Sequence, residues 1–151
     1  MIAVDTNILI YAHRRDSPFY KVASVRLAEL GEGTAIWAIP WHCLHEFLSV
    51  VTNPRAFAPP TSLEEALAQI EIWLESPSLV LLSESPTHWT TLRSILVESV
   101  ITGPRVHDAR IAALCRQHGV RELWSADRDF SRFAGVKVVN PLIGRSGFHE
   151  Q

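Results

Sequence analysis

What most restricts the fold of this chain is an alternation, kept from end to end, between short apolar β-rich runs and helix-length amphipathic segments. That pattern reads as βαβ units, in which strands pair in parallel and helices return along the sheet's faces. Strands are expected at residues 2–4, 34–39, 79–82, 122–126 and 136–139. Between them, Thr6 or Asn7 caps a helix through Ile8, Leu9, Ile10 and Tyr11, and Ser17-Pro18 opens a second helix that ends at Gly31 and Gly33. A helix over 41–51 stops at Asn53-Pro54, and Thr61-Ser62 followed three residues later by Glu64 and Glu65 is a capping box for a helix over 63–75. Ser85-Pro86 opens a helix carrying Trp89, Leu92 and Leu96 that Gly103-Pro104 breaks, and 106–118 is helical with Gly119 as its stop.

At 151 residues with 47% apolar composition, the chain can bury one sizeable core without cross-links. Cys43 and Cys115 make no disulfide framework, and no apolar run reaches the ~20 residues needed to cross a bilayer. Met1 to Asp5 has no basic region of the kind that opens a signal peptide, so a soluble, cytoplasmic protein is expected. Residues 1–143 form the expected domain, and 144–151 a tail without periodicity. Fourteen basic against sixteen acidic residues give a formal net charge of −2 and no global field for a polyanion. Acids gathered around a divalent cation would leave the remaining surface more positive than that count.

Ligands of an open parallel sheet bind beyond the carboxyl ends of its strands, and acids recur there. Asp5 directly follows the first strand and Asp127 the fourth. If those strands are neighbours, two carboxylates emerge side by side and need a cation or a proton between them. As a purely structural residue, Asp5 would cap the next helix. Asp108 heads the stripe Ile111, Ala112 and Cys115, and a carboxylate on a buried side costs several kcal/mol unless paired or coordinated. Glu46 projects away from the stripe Leu44, Phe47, Leu48 and Val51, so spacing alone leaves it on the surface. Of Asp127 and Asp129, one can cap a short helix toward Phe133; Asp127, nearer the strand, is the better ligand, with Asp129 supporting it.

Taken in order, Ile2-Ala3-Val4-Asp5-Thr6-Asn7, Glu46 within an apolar helix, His107-Asp108-Ala109 and Ser125-Ala126-Asp127-Arg128-Asp129-Phe130 resemble the PIN-domain ribonucleases, and among them the VapC toxins of toxin–antitoxin modules. The resemblance spans about residues 1–143 and moves Glu46 from surface to site. It implies a three-layer α/β sandwich with a five-stranded parallel sheet and an acidic quartet of Asp5, Glu46, Asp108 and Asp127 holding Mg²⁺ or Mn²⁺. Thr6, Asn7 and Ser125 match polar positions that support the quartet, Ser125 standing where many relatives have Thr. The implied activity is cleavage of single-stranded RNA by metal-activated water, leaving 5′-phosphate and 3′-hydroxyl ends. The implied partners are an antitoxin and a second copy of the chain.

Hard Mg²⁺ prefers oxygen ligands, which is why such a quartet must be carboxylates. Candidates for holding RNA are Arg14, Arg15, Arg55, Arg105, Arg110 and Arg128, with Trp41 as a stacking surface. The stripe Leu67, Ile70 and Leu74 could form a dimer face, although core packing is the commoner use of such a stripe. Two other readings of the sequence are an inactive RNA- or partner-binding module and an aspartate-nucleophile phosphatase. The latter needs a second Asp two residues after the first, where this chain has Asn7. His42, His45 and Glu46 lack the H-E-x-x-H spacing of a zinc protease, and neither G-x-S-x-G nor a Walker A sequence occurs.

Overall fold

The computed structural model describes residues 1–143, so the expected tail at 144–151 lies outside the described residues. Five strands form one parallel sheet: β1 (Ile2–Val4), β2 (Trp37–Pro40), β3 (Leu79–Leu82), β4 (Glu122–Trp124) and β5 (Lys137–Val139). Their order is β3-β2-β1-β4-β5. Six α-helices connect them: α1 (Thr6–His13), α2 (Tyr20–Glu32), α3 (Trp41–Val51), α4 (Leu63–Leu74), α5 (His88–Ser99) and α6 (Val106–Gln117). Short 3-10 turns precede α6 at Gly103–Arg105 and follow β4 at Arg128–Arg132. From β1 the chain builds outward through β2 to β3, then returns across the sheet to lay β4 against the other side of β1. Crossovers running in opposite directions with the usual right hand place helices on both faces. The reversal of strand order sits between β1 and β4, the place where open α/β sheets bind ligands.

The three strands at the centre are apolar because both faces are covered. Ala3, Val4, Trp37, Ala38, Ile39, Leu123 and Trp124 are all buried, and Leu9, Leu27, Phe47 and Ile95 from the helices close over them. Register aligns Val4 with Trp124 and Ala3 with Ala38, so β1 and β4 end side by side.

Several local expectations shift for a common reason: a side chain takes a backbone group that the regular element would have used. Helix α2 begins at Tyr20 because the Ser17 hydroxyl accepts the Phe19 N–H, holding Pro18 in a turn instead of in the first helical position. Ser85 does the same to the Thr87 N–H, delaying α5 to His88. Strand β4 stops at Trp124 because the Ala126 N–H turns aside to the Asn7 side-chain oxygen. Ser62 caps α4 through the Glu65 N–H, as expected, and Gly119 adopts φ +67 just past α6. The expected core use of the α4 stripe is corrected: Ala66 and Trp73 are the buried residues of that helix, while Leu67 and Leu74 remain exposed and Ile70 is half-buried. No helix among the described residues is long and apolar enough to cross a membrane.

Candidate active site

Asp5 leaves β1 at the point where the chain bends into α1, and its geometry corrects the expected cap. Asp5, not Thr6 or Asn7, is the N-cap: its Oδ1 accepts the Thr6 N–H at 2.8 Å. Its Oδ2 accepts the Ser125 hydroxyl at 2.8 Å and, more weakly, the Asn7 amide at 3.5 Å. The Cys43 thiol, fully buried on α3, donates to Oδ1 at 3.7 Å. Asp5 therefore caps α1 and also lines the pocket between β1 and β4.

Asp5, Glu46, Asp108 and Asp127 line a single pocket of about 180 Å³, together with Thr6, Asn7, Ile10, His42, His107, Ile111 and Phe130. Four elements contribute. Asp5 follows β1, Glu46 lies in the middle of α3, Asp108 is in the first turn of α6, and Asp127 follows β4. Glu46 is half-exposed and lines the pocket, so exposure on the helix and a place at the pocket wall are compatible for this side chain. Asp127 has a double role, since its Oδ1 accepts the Asp129 N–H and caps the following 3-10 turn. The Asp129 carboxylate pairs with Arg105.

The electrostatics report the crowding. Burial lifts the Asp5 carboxyl from its ordinary 3.8 to about 6; the bonds from Ser125 and Thr6 pull it down, and the charges of Glu46 and Asp108 push it further up. Burial likewise raises Asp108, with Asp127 adding to the rise and Arg105 opposing it. A bound cation relieves both the cost of burying these carboxylates and the smaller repulsion among them. The donor set fits a hard divalent ion, because every acid presents oxygen, the Cys43 sulfur is turned to Asp5, and neither cysteine lines the pocket. Among the described residues no three His, Cys, Asp or Glu side chains are drawn together tightly enough to ligate one ion as a set. The acids surround a pocket without closing into a cage, an arrangement that suits an ion such as Mg²⁺, which keeps several of its waters.

The supporting residues form one network. Asn7 Nδ2 donates to Ser125 Oγ at 3.1 Å, the Asp127 N–H donates to the same oxygen at 3.0 Å, and Asn7 Oδ1 accepts the Ala126 N–H at 3.2 Å. The RNA-holding candidates divide. Arg105, Arg110 and Arg128 sit beside site residues: Arg105 on Asp129, Arg110 at 3.1 Å from the pocket-lining His42, and Arg128 next to Asp127 in sequence. Arg14 and Arg15 line a different groove with His13, Thr61 and Gln69, and Arg14 is committed to Asp16 and the Phe57 ring. Arg55 lies in the exposed 52–60 loop, and Trp41 is exposed at the start of α3 beside His45; neither lines the pocket. His42 and His107, to which the sequence motifs assign no catalytic or metal role, line the pocket as well. The four-residue interval from His42 to Glu46, one helical turn, was the available signal.

A parallel α/β sheet whose strand order reverses beside a pocket of four carboxylates defines a class of metal-nuclease-like fold, and comparison with known proteins names it. Residues 2–136 match the PIN domain family, to which this chain belongs. Ribonuclease VapC48 of Mycobacterium tuberculosis is 31% identical over 140 residues, covering 93% of this chain and 97% of that protein. Ribonuclease VapC43 of the same organism is 32% identical over 146 residues, covering 97% and 99%. Among solved structures, VapBC2 of Rickettsia felis, bound to promoter DNA, matches 92% of this chain and 98% of that one with a TM-score of 0.67 at 18% identity. VapC20 of M. tuberculosis, described as a toxin cleaving the sarcin-ricin loop, matches 91% and 99% with a TM-score of 0.66 at 19% identity. The structural matches establish the fold, and the sequence matches place the chain with the VapC ribonucleases.

Proposed function

We propose that this protein is a divalent-metal-dependent endoribonuclease that cuts single-stranded RNA as the toxin of a toxin–antitoxin pair. The observation that carries the reading is the convergence of Asp5, Glu46, Asp108 and Asp127, from four separate elements, on one pocket at the switch point of the sheet. The four carboxylates would hold Mg²⁺ or Mn²⁺, which when bound supplies an acidified water and a counter-charge for the departing 3′ oxygen. The chain's own residues do the rest. Ser125, Asn7 and the Thr6 N–H fix the rotamer of Asp5, and the 3-10 turn capped by Asp127 holds that acid at the pocket wall. Arg105 and Arg110, paired with Asp129 and Glu84, and Arg128, next to Asp127 in sequence, would supply the positive charge that meets phosphate beside the acids. In-line attack leaves 5′-phosphate and 3′-hydroxyl ends.

The relatives named VapC and the VapBC complexes of the same fold support an antitoxin partner for this chain, and a homodimer in the cytoplasm is part of the same reading. The test is cleavage of single-stranded RNA by purified protein with Mg²⁺ or Mn²⁺. Loss of cutting in chelator and in Asp5→Asn, with 5′-phosphate product ends, is the expected result. Products ending in 2′,3′-cyclic phosphate, or cutting that survives Asp5→Asn, would refute it.

A further inference from the structure

Glu46 is the one member of the quartet that approaches the pocket from an exposed helix position, with half of its side chain in solvent and three side-chain torsions to settle. Two of the other acids are anchored by hydrogen bonds, Asp5 by Ser125 and Thr6 and Asp127 by the Asp129 N–H, while Asp108 is half-buried in the first turn of α6. Behind Glu46 runs a chain of polar contacts that leads away from the pocket. Nε2 of His42, one turn earlier on α3, stands 3.4 Å from Glu46 Oε2. Nδ1 of the same ring stands 3.1 Å from Nη1 of Arg110 on α6, and Arg110 Nε donates at 2.5 Å to Glu84, two residues beyond β3.

The chemistry of arginine decides the direction of this chain. A guanidinium has five donors, no acceptor and a proton that it does not give up, so the nitrogen facing Arg110 must be the lone-pair nitrogen of the imidazole. The ring proton then sits on Nε2, the nitrogen that stands 3.4 Å from Glu46 Oε2. Glu84 holds Arg110, Arg110 selects the ring nitrogen that accepts, and the remaining N–H is the one on the side of the Glu46 carboxylate. The ring itself is steadied by His107, whose plane is parallel within 8° at a centroid separation of 6.0 Å. We infer that His42 is a positioning residue, locked by Glu84 and Arg110 in the Nε2-protonated tautomer so that it holds the Glu46 carboxylate toward the pocket. His42 on this inference neither ligates metal through Nε2 nor exchanges protons with substrate. The consequence for metal uptake rests on the nuclease reading above; the tautomer does not.

Two measurements test it. In long-range proton–nitrogen correlation spectra of the metal-free wild type, His42 should show a protonated Nε2 and a bare Nδ1, and Arg110→Leu should shift the ring toward mixed tautomers; an Nδ1-protonated His42 in the wild type overturns the proposal. In Mn²⁺ titrations followed by calorimetry, His42→Ala should weaken binding by about 10-fold or more, the loss typical when a group that orients a ligand is removed, while His42→Gln, which keeps a side-chain N–H donor, should recover to within about 3-fold of wild type. Wild-type affinity in His42→Ala overturns the proposal alone, with the nuclease reading intact. A wild-type protein that takes up no Mn²⁺ overturns the nuclease reading and the role of His42 in it, while the spectra still report whether the ring is locked.

Discussion

The Ser125 hydroxyl donates to Asp5 Oδ2 at 2.8 Å, joining the ends of β1 and β4 across 120 residues of sequence. Ser125 Oγ in turn accepts the Asn7 amide at 3.1 Å and the Asp127 N–H at 3.0 Å. One small side chain therefore sets the spacing of two acids that repel each other, and it does so from a buried position where a missing bond is not replaced by water.

Ser125→Ala should then lose more than one hydrogen bond. It removes the donor that lowers the Asp5 carboxyl and strands two N–H donors, at a cost of about 1–3 kcal/mol. Urea unfolding should show that loss, and RNA cleavage should fall with it. Ser125→Thr keeps the hydroxyl and should recover most of both. Equal stability of Ser125→Ala and wild type would contradict the network.

Asp5 carries the largest stability consequence in the site. Its carboxyl titrates near 6 when folded and near 3.8 when unfolded, so between those values the folded state binds more protons. Stability of the metal-free protein should therefore fall as pH rises from about 4 to about 6 and level off above, the full cost of ionisation being about 3 kcal/mol. Asp5→Asn removes that cost. In chelator at pH 7.5 it should unfold at higher urea than wild type, with the difference shrinking toward pH 4. Saturating Mn²⁺ should raise the wild-type midpoint and leave Asp5→Asn unmoved. A variant less stable than wild type throughout the pH range would contradict the assignment of strain to this carboxylate.

The same raised carboxyls set a pH dependence for metal uptake. Protons compete for Asp5 and Asp108, both titrating above the ordinary carboxylate range, so Mn²⁺ affinity should weaken as pH falls through 6 and should be flat above about 7. Calorimetry in two buffers of different ionisation enthalpy should register proton release on binding at pH 5.5 and little at pH 7.5. Affinity unchanged between those values would mean that neither carboxyl takes part.

The parallel sheet and the site were legible to different degrees. Alternating short apolar runs and helix-length segments announce the βαβ architecture because buried strands and amphipathic helices have distinct periods, and Asp5 and Asp127 follow from standing just past strands that prove adjacent. Glu46 was not legible from periodicity, since a half-exposed helical glutamate looks the same whether it faces a pocket or bulk water. Element starts near Ser17 and Ser85 were misplaced because Ser-Pro supports both a turn and a helix entry, and only the fold decides which N–H the hydroxyl takes. Arg14 and Arg105 were indistinguishable as isolated cations, although one lies in a groove elsewhere and the other pairs with Asp129 beside the site.

Arg105 offers a prediction whose two halves have opposite signs. Its guanidinium pairs with Asp129 and opposes the rise of the Asp108 carboxyl, so it competes electrostatically with any cation the acids would hold. On the proposed function it is also one of the charges that would meet an RNA phosphate. Arg105→Ala should therefore tighten Mn²⁺ binding modestly, by about 2- to 3-fold, as expected for a partly exposed charge screened by solvent. The same substitution should raise KM for RNA and flatten the salt dependence of binding, because one fewer counterion is displaced. Calorimetry with Mn²⁺ and filter binding of RNA between low and moderate salt read the two effects separately. Metal and RNA affinities that move in the same direction would show that Arg105 acts through the local fold and not through its charge.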